Sequence, residues 1–255
     1  MASQIAWITG GGSGLGRAVA LKLAADGWTV AITARTQADL DALAALPEAH
    51  GRIQGFACDV TDRTGMARVV DEVERGLGPI SLALLCAGIY VPFGLDDFSA
   101  EKMEILFRVN VGGVANAIEA VMPRFRARDA GRLAVVSSIT QYRGFCRTAG
   151  YGATKAALLS ICETMRLQTR GTGITVQIVV PHYIQSRMTE KAPFPLPGII
   201  SAEDAADLTI AGLKTDVFEV LVPPEIVREA QAARRMPSEE YFELAARTEL
   251  FGGTP

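Results

Sequence analysis

Histidine is nearly missing from this chain of 255 residues: His50 and His182 are the only two. Its four cysteines, Cys58, Cys86, Cys146 and Cys162, stand far apart and form no C-x-x-C pair. Neither zinc-site spacing nor a disulfide framework can be written from that set, so buried free thiols are expected. A basic excess is lacking too. Lys and Arg total 25 against 28 Asp and Glu, for a net charge of −3, which excludes the basic footprint of a nucleic-acid binder. The longest apolar run, 82–91, is about half of what spans a bilayer. The opening MASQIAWITG has neither the basic flank nor the apolar stretch of a secretory leader. No membrane association and a cytoplasmic location are expected.

What the sequence does have is alternation. Short β-rich runs (5–8, 28–34, 52–57, 82–86, 133–137, 174–180, 218–222) take turns with helical patterns near 15–26, 38–46, 66–75, 100–108, 111–127 and 151–169. That order is the mark of a parallel sheet with crossover helices. No linker interrupts it, so the expected fold is α/β: one domain over 1–255, a doubly wound Rossmann-type sheet of about seven strands with helices on both faces. Two stretches fall outside the pattern. Prolines at 193, 195 and 197 forbid regular structure in 186–198, which is read as a loop covering the substrate. Beyond the last strand, 224–255 reads as a charged helical extension, after an earlier helix that starts at Ser201 as its cap.

The first strand runs straight into Thr9-Gly10-Gly11-Gly12-Ser13-Gly14-Leu15-Gly16 and then a helix. Backbone N–H groups at such a helix start form an anion site, and residues without side chains let a pyrophosphate come close. The G-x-G-x-x-G spacing fails in every register, and Arg17-Ala18 rules out a Walker loop. What stands is T-G-x-x-x-G-x-G, and a glycine-rich first turn also serves methyltransferases and flavoproteins. Far downstream, Tyr151 and Lys155 lie four apart within a helix, which sets them on one face. A tyrosine ionises near pH 10, and a cation beside it favours the phenolate and brings it closer to a working pH.

Together, T-G-x-x-x-G-x-G and Y-x-x-x-K resemble the short-chain dehydrogenase/reductase family in its compact single-domain form, in order over roughly the first 190 residues. The resemblance implies a nicotinamide dinucleotide held by Gly10, Gly12, Ser13, Gly14, Leu15 and Gly16, with Asp59 and Val60 at the adenine and Ala87 and Gly88 after the fourth strand. Pro181, Ile184 and Ser186 match the family's segment beside the nicotinamide, and Tyr151 and Lys155 also touch the cofactor. It further implies a catalytic set of Asn110, Ser138, Tyr151 and Lys155: Tyr151 passes the proton, Ser138 polarises the substrate oxygen, and Asn110 holds a helix kink and a water leading to Lys155. Two departures stand out, Cys86 where the family has asparagine and His182 where it has glycine.

The second strand ends in Ala34-Arg35-Thr36 with no carboxylate before Asp39. An acidic residue there would bind the ribose of NAD, whereas Arg35 suits a 2′-phosphate. NADP is therefore expected, with NAD possible. Tyr142, His182 and Met188 are the candidate substrate contacts. Met188, Phe194 and Leu196 favour an apolar or aromatic ketone or alcohol, while Arg143 and Arg147 read chiefly as solvated loop residues. The competing reading is a redox sensor that binds NADP(H) without turnover. Such relatives usually lose the tyrosine or the lysine, and this chain has both. A small-molecule substrate and a homo-oligomer are the expected partners, a dimer through the helices near 111–127 and 151–169 in preference to a tetramer.

Overall fold

The computed structural model describes residues 4–190 and 196–247. Seven strands form one parallel sheet in the order β3-β2-β1-β4-β5-β6-β7. They are β1 (Ile5–Thr9), β2 (Thr29–Ala34), β3 (Ile53–Ala57), β4 (Ile80–Leu85), β5 (Gly131–Val136), β6 (Ile174–Pro181) and β7 (Glu219–Val222). Helices α1 (Gly14–Ala25), α2 (Gln37–Ala44), α3 (Arg63–Gly76), α4 (Ala100–Leu106), α5 (Gly113–Arg128), α6 (Ala149–Gln168) and α7 (Ala202–Leu213) make the crossovers. Helices α8 (Pro224–Ala233) and α9 (Ser238–Arg247) follow β7, so the expected helical extension forms as far as 247; 248–255 lie outside the described residues.

β1 is buried over its whole length, as a strand covered on both faces must be. Its side chains alternate between two cores. Trp7 points to the layer of α3, α5 and α6 with Val70, Val121, Phe125 and Leu158. Ile8 points to the layer of α1 and α7 with Val19, Ile32, Leu84 and Ile210. The Trp7 indole would be a costly orphan at that depth, and it donates to Thr33 Oγ1 at 3.0 Å.

Sheet order reverses direction between β1 and β4, which pair with Ile8 opposite Leu84. Ligands of open α/β sheets bind beyond the carboxyl ends of strands at such a switch point. The glycine loop leaves β1 there, and Cys86-Ala87-Gly88 leaves β4 beside it.

Two expected boundaries need correction. Helix α3 starts three residues before the predicted 66, because Asp62 caps it by accepting from the Gly65 N–H at 2.9 Å. The stretches read as separate helices near 100–108 and 111–127 form one continuous helix, joined by a π-helical turn at Phe107–Gly112. Valines and paired glycines in Val109-Asn110-Val111-Gly112-Gly113 weaken local helix preference and suggest a break. The helix continues because Gly113 lies flat on Val60, where a Cβ would come within 2.5 Å of the valine side chain. By length and composition the combined helix Ala100–Arg128 could cross a bilayer. Its Leu106, Val114, Val121 and Phe125 are instead buried within the protein.

Candidate active site

Three elements place the four catalytic candidates. Ser138 follows β5 and caps a single 3-10 turn, Ile139–Gln141, its Oγ accepting from Thr140 N–H at 3.3 Å. Tyr151 and Lys155 stand in the first two turns of α6. Asn110 occupies the π-helical turn, where an extra residue per turn is a frequent mark of function. Its Oδ1 accepts from Ile89 N–H at 2.8 Å, and its Nδ2 donates to Ile89 O at 3.0 Å and to Thr154 Oγ1 at 3.2 Å. Asn110 thus ties the loop after β4 to the helix turn that carries Lys155.

Ser138, Tyr151 and Lys155 line a single cavity of about 690 Å³. Gly10, Ser13, Gly14, Leu15, Ala87, Gly88, Pro181, Ile184 and Ser186 share its wall, as do the substrate candidates His182 and Met188. Glycine is required at Gly10, which has φ +68°, and whose Cβ would stand 2.8 Å from the Ala87 backbone. At Gly16 a Cβ would meet Gly10 O at 2.5 Å. Gly12 lies close to Ala34, with 3.5 Å from its would-be Cβ to that methyl, so the glycine loop and the end of β2 face each other. Arg35, exposed, follows at this edge.

The charge of Arg35 reaches Asp59, whose carboxyl is held low first by hydrogen bonds from Thr61 and then by this arginine and Arg108. Both Thr61 bonds to Asp59 Oδ1 measure 2.8 Å. Val60 packs under Gly113, and its carbonyl accepts from Asn116 Nδ2 at 2.9 Å.

Tyr142 does not reach the cavity. It is buried in the core cluster that includes Val227 and Ala233, where burial first and then nearby Glu219 raise its pKa, and it is not among the lining residues. Phe145 and Thr148 take that part of the wall. Arg143 is not solvated either: its Nε donates to Ala233 O at 2.8 Å and its Nη2 to Met236 O. Arg147 lines the cavity, with Asp97 3.5 Å away. Of the thiols only Cys58 and Cys162 are buried; Cys86 and Cys146 both line the cavity, Cys146 from an exposed position. Of 186–198, Ser186, Arg187, Met188, Thr189 and Leu196 contribute to the wall, while 191–195, Phe194 included, lie outside the described residues.

Sequence reasoning missed Tyr90 and Tyr183. The Tyr90 ring meets Tyr151 edge-on, with centroids 5.1 Å apart, and Tyr183 packs 4.3 Å from His182. Both follow the carboxyl end of a strand, β4 or β6, and that position was the available signal.

The electrostatics depart from the simple expectation of a cation drawing the phenol down. Burial pushes the Tyr151 phenol well above its ordinary value, with Ser138 hydrogen-bonding it the other way. Lys155 Nζ lies 5.4 Å from the Tyr151 ring centroid and donates to Val136 O at 2.9 Å. Burial lowers its pKa to about 8, so it still carries its proton at neutral pH. His182 is buried with neither ring nitrogen in a short hydrogen bond among the described residues, and burial lowers it to about 4, with the Gly198 backbone acting in the opposite direction. The ring is therefore neutral at pH 7.

The profile of the short chain dehydrogenase family matches residues 4–194. The chain belongs to the short-chain dehydrogenase family. An uncharacterized oxidoreductase of Myxococcus xanthus is 31% identical over 248 residues, covering 97% of this chain and 98% of that protein. A short-chain dehydrogenase structure from Streptomyces avermitilis superposes with a TM-score of 0.84 at 24% identity, over 100% of this chain and 99% of that one. Gluconate 5-dehydrogenase of Burkholderia cenocepacia, solved with NADP and tartrate, gives 0.77 at 24% identity over 87% and 92%. The protein is an oxidoreductase of this family, and the seven-stranded fold is the family's.

A dinucleotide fits the glycine loop on chemical grounds. Asp62, Ser99 and Ser201 each cap a helix with a side-chain bond, yet Ser13 at the start of α1 makes none. Thr36 and Thr148 make none either, but at α1 the first two residues, Gly14 and Leu15, line the cavity, so their N–H groups suit an anion there, while the Gly16 N–H bonds Cys86.

Proposed function

We propose that this dehydrogenase interconverts a ketone and a secondary alcohol with apolar or aromatic flanks, using NADP(H). The observation that carries the reading is the meeting of Ser138, Tyr151 and Lys155 in the cavity that begins at the glycine loop. A nicotinamide dinucleotide bound here would supply or accept the hydride. Tyr151 gives its phenolic proton to the carbonyl oxygen in reduction and takes one from the alcohol in oxidation. Ser138 holds that oxygen by a hydrogen bond. Lys155 favours the phenolate by its charge, and Asn110 keeps the turn of α6 that bears Lys155 against the loop after β4 through Ile89 and Thr154.

Gly10, Gly12, Ser13, Gly14, Leu15 and Gly16 cradle the pyrophosphate, with Ala87 and Gly88 alongside. Asp59 and Val60 would hold the adenine end of the dinucleotide, and Pro181, Ile184 and Ser186 its nicotinamide end. NADP is favoured over NAD by Ala34 and Arg35 at the end of β2, where no carboxylate stands. Tyr90, Phe145, Met188 and Leu196 support an apolar substrate, with His182, Ser186, Arg187 and Thr189 on the same wall.

A homodimer through α5 and α6 is part of the same proposal. The apolar window of the long helix is only 33% buried within the protomer, and Leu167 on α6 is 67% exposed. The testing experiment is a panel of aryl and alkyl ketones and alcohols, assayed with NADPH and NADH for wild type and Tyr151→Phe. Turnover of a panel member that falls about 10²–10⁴-fold in the variant, with NADPH binding retained, is expected. Near-wild-type turnover in Tyr151→Phe would sink the assignment.

A further inference from the structure

The loop between β5 and α6 has two sides with different duties. Its front (Ser138, Thr140, Phe145, Arg147 and Thr148 among others) is cavity wall. Its back is fastened, at three nearly consecutive residues, to the elements that end the described chain. Gln141 Nε2 donates to Glu219 Oε1 at 3.5 Å, and Glu219 in turn accepts from Gln231 of α8. Arg143 spans the end of α8 through Ala233 O, which also accepts from Met236 N–H at 3.2 Å, and through Met236 O just beyond the helix. Gly144 O accepts from the Tyr241 hydroxyl of α9 at 2.6 Å.

These ties reinforce one another. The Arg143 guanidinium lies 5.1 Å from the Tyr241 ring centroid, and the Tyr241 ring is buried among the same residues as Tyr142 and Phe145. Arg234, just past the end of α8, also reaches Glu163 of α6, at 3.2 Å, so the brace holds to the helix of Tyr151 as well. Loops lack the ladder of bonds that fixes a strand, and a site residue on a loop needs support from behind to keep its geometry.

We propose that Arg143 and Tyr241 are positioning residues: α8 and α9 brace the Ser138–Thr148 loop from behind and so set the width of the substrate pocket and the aim of Ser138. The extension therefore acts on substrate without touching it. This inference rests on the oxidoreductase reading above, and the assay separates the two.

The ketone that wild type turns over best in the panel serves as the probe, with NADPH. Tyr241→Phe keeps the ring and removes only the hydroxyl bond; Arg143→Lys keeps the charge and loses the forked reach; Arg143→Met removes both. Losing one to two such bonds should raise the ketone KM about 3–30-fold or lower kcat by as much, least in Tyr241→Phe and most in Arg143→Met. Arg143→Lys should recover part of the Arg143→Met defect. The NADPH Kd, read by fluorescence without turnover, should stay within about twofold, since the glycine loop lies elsewhere. Kinetic constants within about twofold of wild type in Tyr241→Phe and Arg143→Lys, assayed well below their Tm, would overturn the proposal even if Tm falls. A matching loss in NADPH Kd would overturn it too, as general loosening. Should Arg143→Met not fold, the two conservative variants decide. Wild type that binds NADPH but reduces no ketone would instead refute the function on which the proposal stands.

Discussion

Lys155→Met removes one charge from the buried heart of the site and nearly keeps the side chain's length. Lys155 Nζ lies 5.4 Å from the Tyr151 ring centroid. With a phenolate charge taken at about that distance and an effective dielectric of about 20, the attraction is about 3 kcal/mol. That is about two pKa units on the phenol. Burial already holds Tyr151 above its ordinary value, so deleting the cation moves it further from neutrality. In alcohol oxidation Tyr151 must accept a proton, and the rate follows the phenolate fraction. At pH 7, kcat/KM for oxidation should fall about 10²-fold.

The sign of the pH dependence is fixed by the lysine's own titration. With its pKa lowered to about 8, Lys155 is charged below that pH and loses its effect above it. The gap between wild type and Lys155→Met should be widest near pH 6–7 and narrow as pH rises past about 8. The assay is kcat/KM for an alcohol from the panel over pH 6–9.5 at saturating NADP, with the NADP Kd measured separately. A gap of constant size across that range would refute the reasoning, because the lysine would then act only by holding the cofactor.

Arg35→Ala should erase most of a roughly 10–100-fold preference for NADPH over NADH in kcat/KM, the size of one charge-assisted contact; wild type with equal values for both cofactors would contradict the assignment. Gly16→Ala forces a Cβ to 2.5 Å from the Gly10 carbonyl, so a loss of about 1–3 kcal/mol in urea melts and weaker NADPH binding are expected, and an unchanged Kd would argue against the cradle. His182 is lowered to about 4, below its unfolded value near 6.5, so its contribution is full above about 6.5 and is lost as pH falls toward 4. Wild type should therefore lose up to about 3 kcal/mol over that window that His182→Gln keeps; parallel pH profiles would contradict this. Light scattering should give a dimer, and a stable tetramer or a monomer at micromolar concentration would remove the α5–α6 pairing.

How much of this is legible in the sequence depends on which forces are local. The alternation of apolar runs and helical periods sufficed for the sheet and its crossovers, because strand and helix periodicity are written residue by residue. The glycine loop was legible for a similar reason: a backbone at φ +68°, as at Gly10, tolerates little else. The Tyr151–Lys155 pairing followed from one helical turn. Family resemblance, rather than spacing, pointed to Ser138 and Asn110.

Other features depended on contacts between residues far apart in the chain, which no local pattern records. The helix through Asn110 continues because Val60, fifty residues earlier, receives Gly113. Tyr142 is kept from the cavity wall because it is buried in the core with α8, and Arg143 is fastened rather than solvated because α8 ends within its reach. Tyr90 enters the site by meeting Tyr151 across two loops. The departures of Lys155 and His182 from their ordinary pKa values come from desolvation, a property of everything packed around a group. The sequence alone determined which elements form and which chemistry they can carry; only tertiary packing decided which side chains share the cavity and in which charge state they work.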